Sequence, residues 1–378
     1  MRSTNTVRMN KNGKISIMQV SDPQDLIYVR RAMVRMLDSA YDNIRPDLVV
    51  FTGDNILGNH LLDARFGSRK VAEGRQATLD RMSEALGYIL DPLEQRGIPF
   101  AMIYGNHDDM NDISKEEQAQ FYLSRTCCLP MNTDEPTDID TYNIPILSSD
   151  GERTIFNLWM LDTAWHDREK DKCFEAIKKS AVDFYNRRCA SLADENGGKV
   201  PSLLFMHIPF AEQRELCMEC GDGLKGSVRL RDGRSICLDK SKASGHLGEP
   251  PCVCEDEYGM FEAIRANGDV MAVISGHDHT NCFEGTVKGV RLIQTPCASF
   301  RCYGNRFRGV RMFYLDENKP GEFETQMLTY DDLCGRGIGA RLRYFWDADD
   351  LIKYKAGAIG AGVLGLGAAA VKILMKRR

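Results

Sequence analysis

The chain has 378 residues, 43% hydrophobic and 27% charged, with a formal net charge of −5. That is the profile of a soluble globular protein of one large or two ordinary domains. So mild an acidity gives no support for tight nucleic-acid binding, which needs a basic face.

The first 14 residues are polar and basic, and the apolar stretch that follows is too short for the core of a secretory signal. The expected location is therefore the cytoplasm, where thirteen cysteines read as reduced thiols rather than as a disulfide framework. Short, β-branched apolar runs predict strands at 14–20, 47–52 and 98–104. Between them, apolar spacing predicts helices at 29–43 and 77–95; the second stops at Gly97 before Pro99. Residues 133–149, rich in Asp, Thr and Pro, read as a loop. Further strands are expected at 154–161, 202–206, 270–275, 290–294 and 310–315. Alternating strands and helices early, and closely spaced strands late, predict an α/β architecture with mixed sheets. Residues 1–350 read as one domain, interrupted by a polar, glycine-rich insertion at about 212–256.

Five pieces each end a predicted strand on metal-binding residues. They are Asp22-Pro23-Gln24, Gly53-Asp54-Asn55, Gly105-Asn106-His107-Asp108, Met206-His207 and Gly276-His277-Asp278-His279. Open α/β sheets place ligands beyond the carboxyl ends of their strands. Five strand ends meeting in one crevice would supply carboxylate, amide and imidazole ligands for two metal ions. A lone Gly-Asp-Asn is far more often a turn, but here the same context recurs five times.

In this order the pieces resemble the calcineurin-like metallophosphoesterase superfamily over about residues 14–330. Gly276-His277-Asp278-His279-Thr280-Asn281, with Cys302-Tyr303-Gly304 downstream, resembles a branch near the simple purple-acid-phosphatase-like phosphatases. The resemblance implies a four-layer α/β/β/α sandwich of two mixed sheets flanked by helices. It implies hydrolysis of phosphate esters by a metal-bridging hydroxide, with phosphomonoesters favoured. The alternatives are a phosphodiesterase acting on a cyclic nucleotide, lipid head group or nucleic acid, and a non-catalytic scaffold on the same fold. Asp22 and His279 would bind the first metal, Asp54 would bridge both, and Asn106, His207 and His277 would bind the second. His107 would protonate the leaving oxygen or steady the transition state, with Asp108 orienting it. Gln24 stands where a histidine is usual. Its neutral oxygen favours harder ions, so Mn²⁺ is favoured over Fe²⁺/Fe³⁺, Zn²⁺ or Mg²⁺. Asn55 and His60 are candidate substrate contacts, and the substrate is expected to be a phosphorylated small molecule or protein.

Two features lie outside this set. In the insertion, Cys217, Cys220, Cys237, His246, Cys252 and Cys254 read either as a zinc knuckle or as reduced thiols lining a lid over the site. Residues 351–378 form a tail with a sixteen-residue uncharged Gly/Ala-rich run at 356–371, followed by Lys372, Ile-Leu-Met and a Lys-Arg-Arg end. Small residues recurring four apart suit a membrane-associated helix; a disordered tail or a helix buried on a partner are the other readings.

Overall fold

The computed structural model describes residues 7–58, 74–111, 113–131, 137–167, 172–352 and 354–355. Strands and helices are numbered in chain order. The smaller of two central sheets runs β18 (Phe323–Thr329), β17 (Gly309–Asp316), β2 (Lys14–Val20), β3 (Leu48–Thr52), β4 (Phe100–Ile103). The larger runs β1 (Val7–Arg8), β5 (Tyr142–Leu147), β6 (Thr154–Leu161), β9 (Ser202–Met206), β14 (Val270–Ser275), β16 (Val290–Gln294), β15 (Cys282–Val287), β13 (Ala243–His246). Both are mixed: β2, β3 and β4 are parallel with β17 antiparallel beside them. In the same way β6, β9, β14 and β16 are parallel between antiparallel β5 and β15.

The sheets pack face to face, and β9 shows why. All five of its residues are buried. Side chains alternate across a strand, so Leu203 and Phe205 enter the core between the sheets while Leu204 and Met206 enter a second core outside. Phe205 meets Phe313 of β17 edge to face, with ring centroids 5.8 Å apart. The outer core lies under α4 (Lys179–Asn196) and α5 (Met260–Asn267). On the far side α1 (Arg31–Ile44) and α2 (Arg75–Arg96) cover the smaller sheet, joined by α6 (Tyr330–Cys334) and α7 (Ile338–Asp347). The result is an α/β/β/α sandwich.

Helix α1 has no side-chain cap; it is placed by a buried stripe of Ala32, Met33, Met36, Leu37, Ala40 and Tyr41. Tertiary packing of such a stripe outweighs a missing cap, since each buried large apolar side chain contributes about 1.5–3 kcal/mol. Helix α3 (Lys115–Leu123) starts instead on a capping box between Ser114 and Glu117. Its Lys115 Nζ sits 2.6 Å from Asp162 beyond β6, and Asp140 accepts from Tyr104 N beyond β4 at 2.9 Å. These contacts tie the two sheets together behind the strand ends.

The expected loop at 133–149 holds strand β5. Its Tyr142, Ile144 and Ile146 alternate inward, and Pro145 fits because this strand lies toward the sheet's edge. The insertion is built around β10 (Cys217–Cys220), β12 (Ser235–Leu238) and β11 (Val228–Arg229), while its β13 joins the larger sheet. The described residues also hold a two-stranded ribbon, β7 (Trp165–Asp167) and β8 (Lys172–Phe174). His60 and residues 356–378 of the tail lie outside the described residues. No helix among the described residues is long and apolar enough to cross a membrane.

Candidate metal centre

Five strands of the two sheets end at one crevice. Asp22 and Gln24 follow β2, Asp54 follows β3, Asn106 and His107 follow β4, His207 follows β9, and His277 and His279 follow β14. The smaller sheet thus brings the carboxylates and amides, and the larger brings three imidazoles.

The local backbone is forced into unusual shapes to do this. Asp22, Asp54 and His277 all adopt left-handed conformations, with φ of 48°, 50° and 71°. Non-glycine residues held there cost of order 1–3 kcal/mol each and persist where surrounding structure insists on them. Gly105 has to be glycine for a different reason: a Cβ would lie 2.2 Å from Asp54 Oδ1 and 2.7 Å from His207 Nε2.

His207 is fully buried, and its Nδ1 lies 2.8 Å from the Thr52 carbonyl. Donation to that carbonyl fixes the tautomer of the neutral ring, so that Nε2 is the atom that takes up a proton or a metal ion. Around Nε2 lie Asn106 Oδ1 at 3.1 Å, Asp54 Oδ1 at 3.3 Å and His277 Nδ1 at 3.3 Å. His279 repeats the arrangement: Nδ1 meets the Tyr303 carbonyl at 3.0 Å, and Nε2 lies 3.6 Å from Asp22 Oδ1. Gln24 places its amide nitrogen 3.2 Å from Asp54 Oδ2 and 3.1 Å from His279 Nε2. Its Oε1, like Asp22 Oδ1, is buried without a hydrogen-bond partner. A half-turn of the amide would put that oxygen among the same atoms.

Lone pairs facing lone pairs repel unless a cation lies between them. The electrostatics agree. Burial opposes ionisation of Asp22 and Asp54, yet His279 and His207 beside them hold both carboxyls below the usual range. Burial also opposes charge on His207, but Asp54 and Asp22 outweigh it and push its pKa up to about 10. His277 goes the other way, down to about 4, through burial and the neighbouring His207. The crevice thus draws positive charge to its middle.

Among the groups of ligand atoms that lie within 4.8 Å of one another, two share Asp54 and could hold an ion each: Asp54, His207 and His277, and Asp22, Asp54 and His279. Asp54 belongs to both. The O and N donor set and the two orphaned oxygens fit a pair of divalent cations. Asn106 adds its oxygen to the first group by contact with His207, and Gln24 stands beside the second.

Three expected roles require correction. Asp108 does not touch His107. Its carboxylate accepts from Gly105 N (2.8 Å), Asn55 N (2.9 Å), Ile56 N (3.0 Å) and Asn55 Nδ2 (3.2 Å), clamping the loop that carries Asp54. Burial and the nearby Asp54 push its pKa up to about 7, against the N–H groups that favour the anion. Asn55 is not open to substrate; it is buried, and its Nδ2 is spent on Asp108 and the Ile103 carbonyl. The insertion's cysteines do not gather into a knuckle. Cys220 of β10 meets Cys237 across the pairing with β12, but His246 packs on the Phe307 ring and Cys254 is buried against Thr163 O, so no third ligand among the described residues joins them. Cys252 alone reaches the crevice.

The clamp has a measurable consequence. Asp108→Asn would turn an NH₂ toward N–H donors and leave at least one of them unpaired. It is expected to lower unfolding stability by about 1–3 kcal/mol, read by denaturant titration; wild-type stability would show that the clamp is idle.

His107 is in neither ligand group. Its backbone N–H donates to Asp54 Oδ1 at 2.9 Å, while its Nε2 lies 4.0 Å from Asp54 Oδ2 in a side chain 30% exposed. Tyr303, whose ring stacks on His279 with centroids 4.3 Å apart, also backs the site. Neither its carbonyl contact nor its ring contact has a spacing signal in the sequence.

Residues 15–281 match the family model described as calcineurin-like phosphoesterase. A relative from Arabidopsis thaliana named probable inactive purple acid phosphatase 28 is 27% identical over 305 residues. That match covers 73% of this chain and 61% of the relative, so the chain spans less than two thirds of it. Probable inactive purple acid phosphatase 29 from the same organism is 26% identical over 348 residues, covering 83% of this chain and 79% of its own length. A solved dimetal phosphatase from Danio rerio aligns with 80% of this chain and 93% of its own, at TM-score 0.46 and 12% identity.

Proposed function

The chain belongs to the calcineurin-like phosphoesterase family, and from that premise we propose that it hydrolyses phosphate esters at a dinuclear metal centre, monoesters ahead of diesters. The observation that carries the reading is the meeting of Asp54, Asn106, His207 and His277 around one point with acceptors facing acceptors. Asp22, Gln24, Asp54, Asn106, His207, His277 and His279 would hold two divalent cations, Mn²⁺ first among the candidates. Such a pair neutralises phosphoryl charge and lowers the pKa of bound water.

The chain's own residues do the rest. His207 and His279 are locked by carbonyl contacts behind their rings, so their lone pairs point inward before any substrate arrives. His107 stands between the centre and solvent, where it can give a proton to the departing oxygen. Asp108 acts through the Asp54 loop as a positioning residue. The phosphatase names of the relatives favour monoesters. The word inactive in two of those names keeps a scaffold in view, and in this chain it is set against the presence of both Asp54 and His107.

The deciding experiment purifies the protein with Mn²⁺ and offers an aryl phosphate monoester and the matching diester. The monoester is expected to turn over at least about tenfold faster, a difference of roughly 1.4 kcal/mol. A faster diester would reassign the substrate class. No turnover of either, with two ions bound per chain, would make the protein a scaffold.

A further inference from the structure

Glu175 and Cys252 stand beside the centre without belonging to either of its two ligand groups. Glu175 lies between β8 and α4, and Cys252 follows β13, so they reach the crevice from different parts of the chain. The Cys252 backbone N–H donates to Asp278 Oδ1 at 3.2 Å, which seats the thiol next to the His277 turn. One ligand atom from each of Glu175, Cys252 and His277 lies within 4.8 Å of the others, and both Glu175 and Cys252 are exposed.

We propose that Glu175, Cys252 and His277 form a third cation site at the mouth of the crevice, selective for zinc and inhibitory. The donor set differs from that of the centre. A sulfur, a nitrogen and a carboxylate oxygen suit zinc, whereas the two ligand groups of the centre offer oxygen and nitrogen but no sulfur. Burial pushes the Cys252 thiol up to about 11, and the neighbouring Glu175 adds to it, so proton loss there calls for a cation. Binding would release the thiol proton to solvent as the sulfur–zinc bond forms.

Inhibition follows from His277 being shared. A neutral imidazole has one lone pair, because its other nitrogen carries the proton. His277 therefore serves the dinuclear centre or the third site, not both. Zinc at the mouth withdraws a ligand from the pair that includes Asp54 and His207. Free zinc would then lower turnover without displacing the other ligands.

The inhibitory effect rests on the hydrolase reading; the site itself does not. The full chain, loaded with Mn²⁺, is titrated with Co²⁺ as a spectroscopic stand-in for zinc. A thiolate bound to cobalt gives a near-ultraviolet charge-transfer band whether or not any ester is hydrolysed. Wild type is expected to show that band; Cys252→Ser should lack it and bind one Co²⁺ fewer. In the same variant, basal turnover with Mn²⁺ should be unchanged and the zinc concentration for half-inhibition should rise at least about tenfold. Glu175→Gln should keep the band but need about tenfold more cobalt to saturate it. Identical cobalt spectra and identical ion counts for wild type and Cys252→Ser would overturn the site. A lost band with unaltered zinc inhibition would overturn its inhibitory role.

Discussion

Asp54→Asn is expected to empty the centre of metal and reduce hydrolysis to background. The carboxylate is the one group common to both ligand sets. Its Oδ1 faces His207 Nε2 at 3.3 Å and accepts from His107 N at 2.9 Å, and its Oδ2 faces Gln24. Asparagine preserves the shape but removes the charge and turns an NH₂ toward one of those neighbours. A cation pair would lose the carboxylate common to both ligand groups and gain a repulsive dipole. The loss in turnover is set at about 10²–10³ or more, the scale for removing one strong electrostatic contact at a reacting centre. Elemental analysis should show the ion content falling from two per chain, with the circular dichroism of the fold unchanged. Hydrolysis at the wild-type rate would sink the mechanism.

His107→Ala should separate chemistry from metal binding. The side chain belongs to neither ligand group, and the contact it makes to Asp54 Oδ1 is through the backbone N–H, which alanine keeps. Ion content should therefore remain near two per chain. Turnover should fall by about 10²–10⁴, the range for losing a positioned acid. The deficit should shrink for esters whose leaving group needs no proton, such as a strongly acidic phenol. Loss of metal would reassign His107 as a ligand, and an equal deficit for all leaving groups would remove the acid role.

The strands that carry the centre could be read from the chain because they are buried on both faces. Such strands are continuous apolar runs, and β2, β6, β9, β14 and β16 have the bounds that composition implies. Strand β5 was hidden by Asn143 and Pro145 and by acidic neighbours, although Tyr142, Ile144 and Ile146 alternate as a half-buried strand should. The resemblance and its motif order indicated the crevice. They could not indicate roles set by turn geometry. Asn55 and Asp108 look like a ligand's neighbour and a histidine's partner. The left-handed turn at Asp54 instead sends both into one clamp beneath the loop. The cysteine spacing misled for a related reason. β10 and β12 build their own small sheet while β13 leaves to pair with β15, so neighbours in sequence end in different sheets.

Each ligand group draws from both sheets, and that has a bearing on how the chain folds. Asp22 and His279 come from opposite ends of the domain, and hydrogen bonds from Ala298 N to Ser21 O and from Gly276 N to His207 O fasten the turns only once the strands are aligned. Closing so long a loop costs entropy before any contact repays it. Neither sheet alone assembles a complete group, so an ion cannot template one sheet ahead of the other. Metal capture would then come late, a seal set on two sheets that have already found their register.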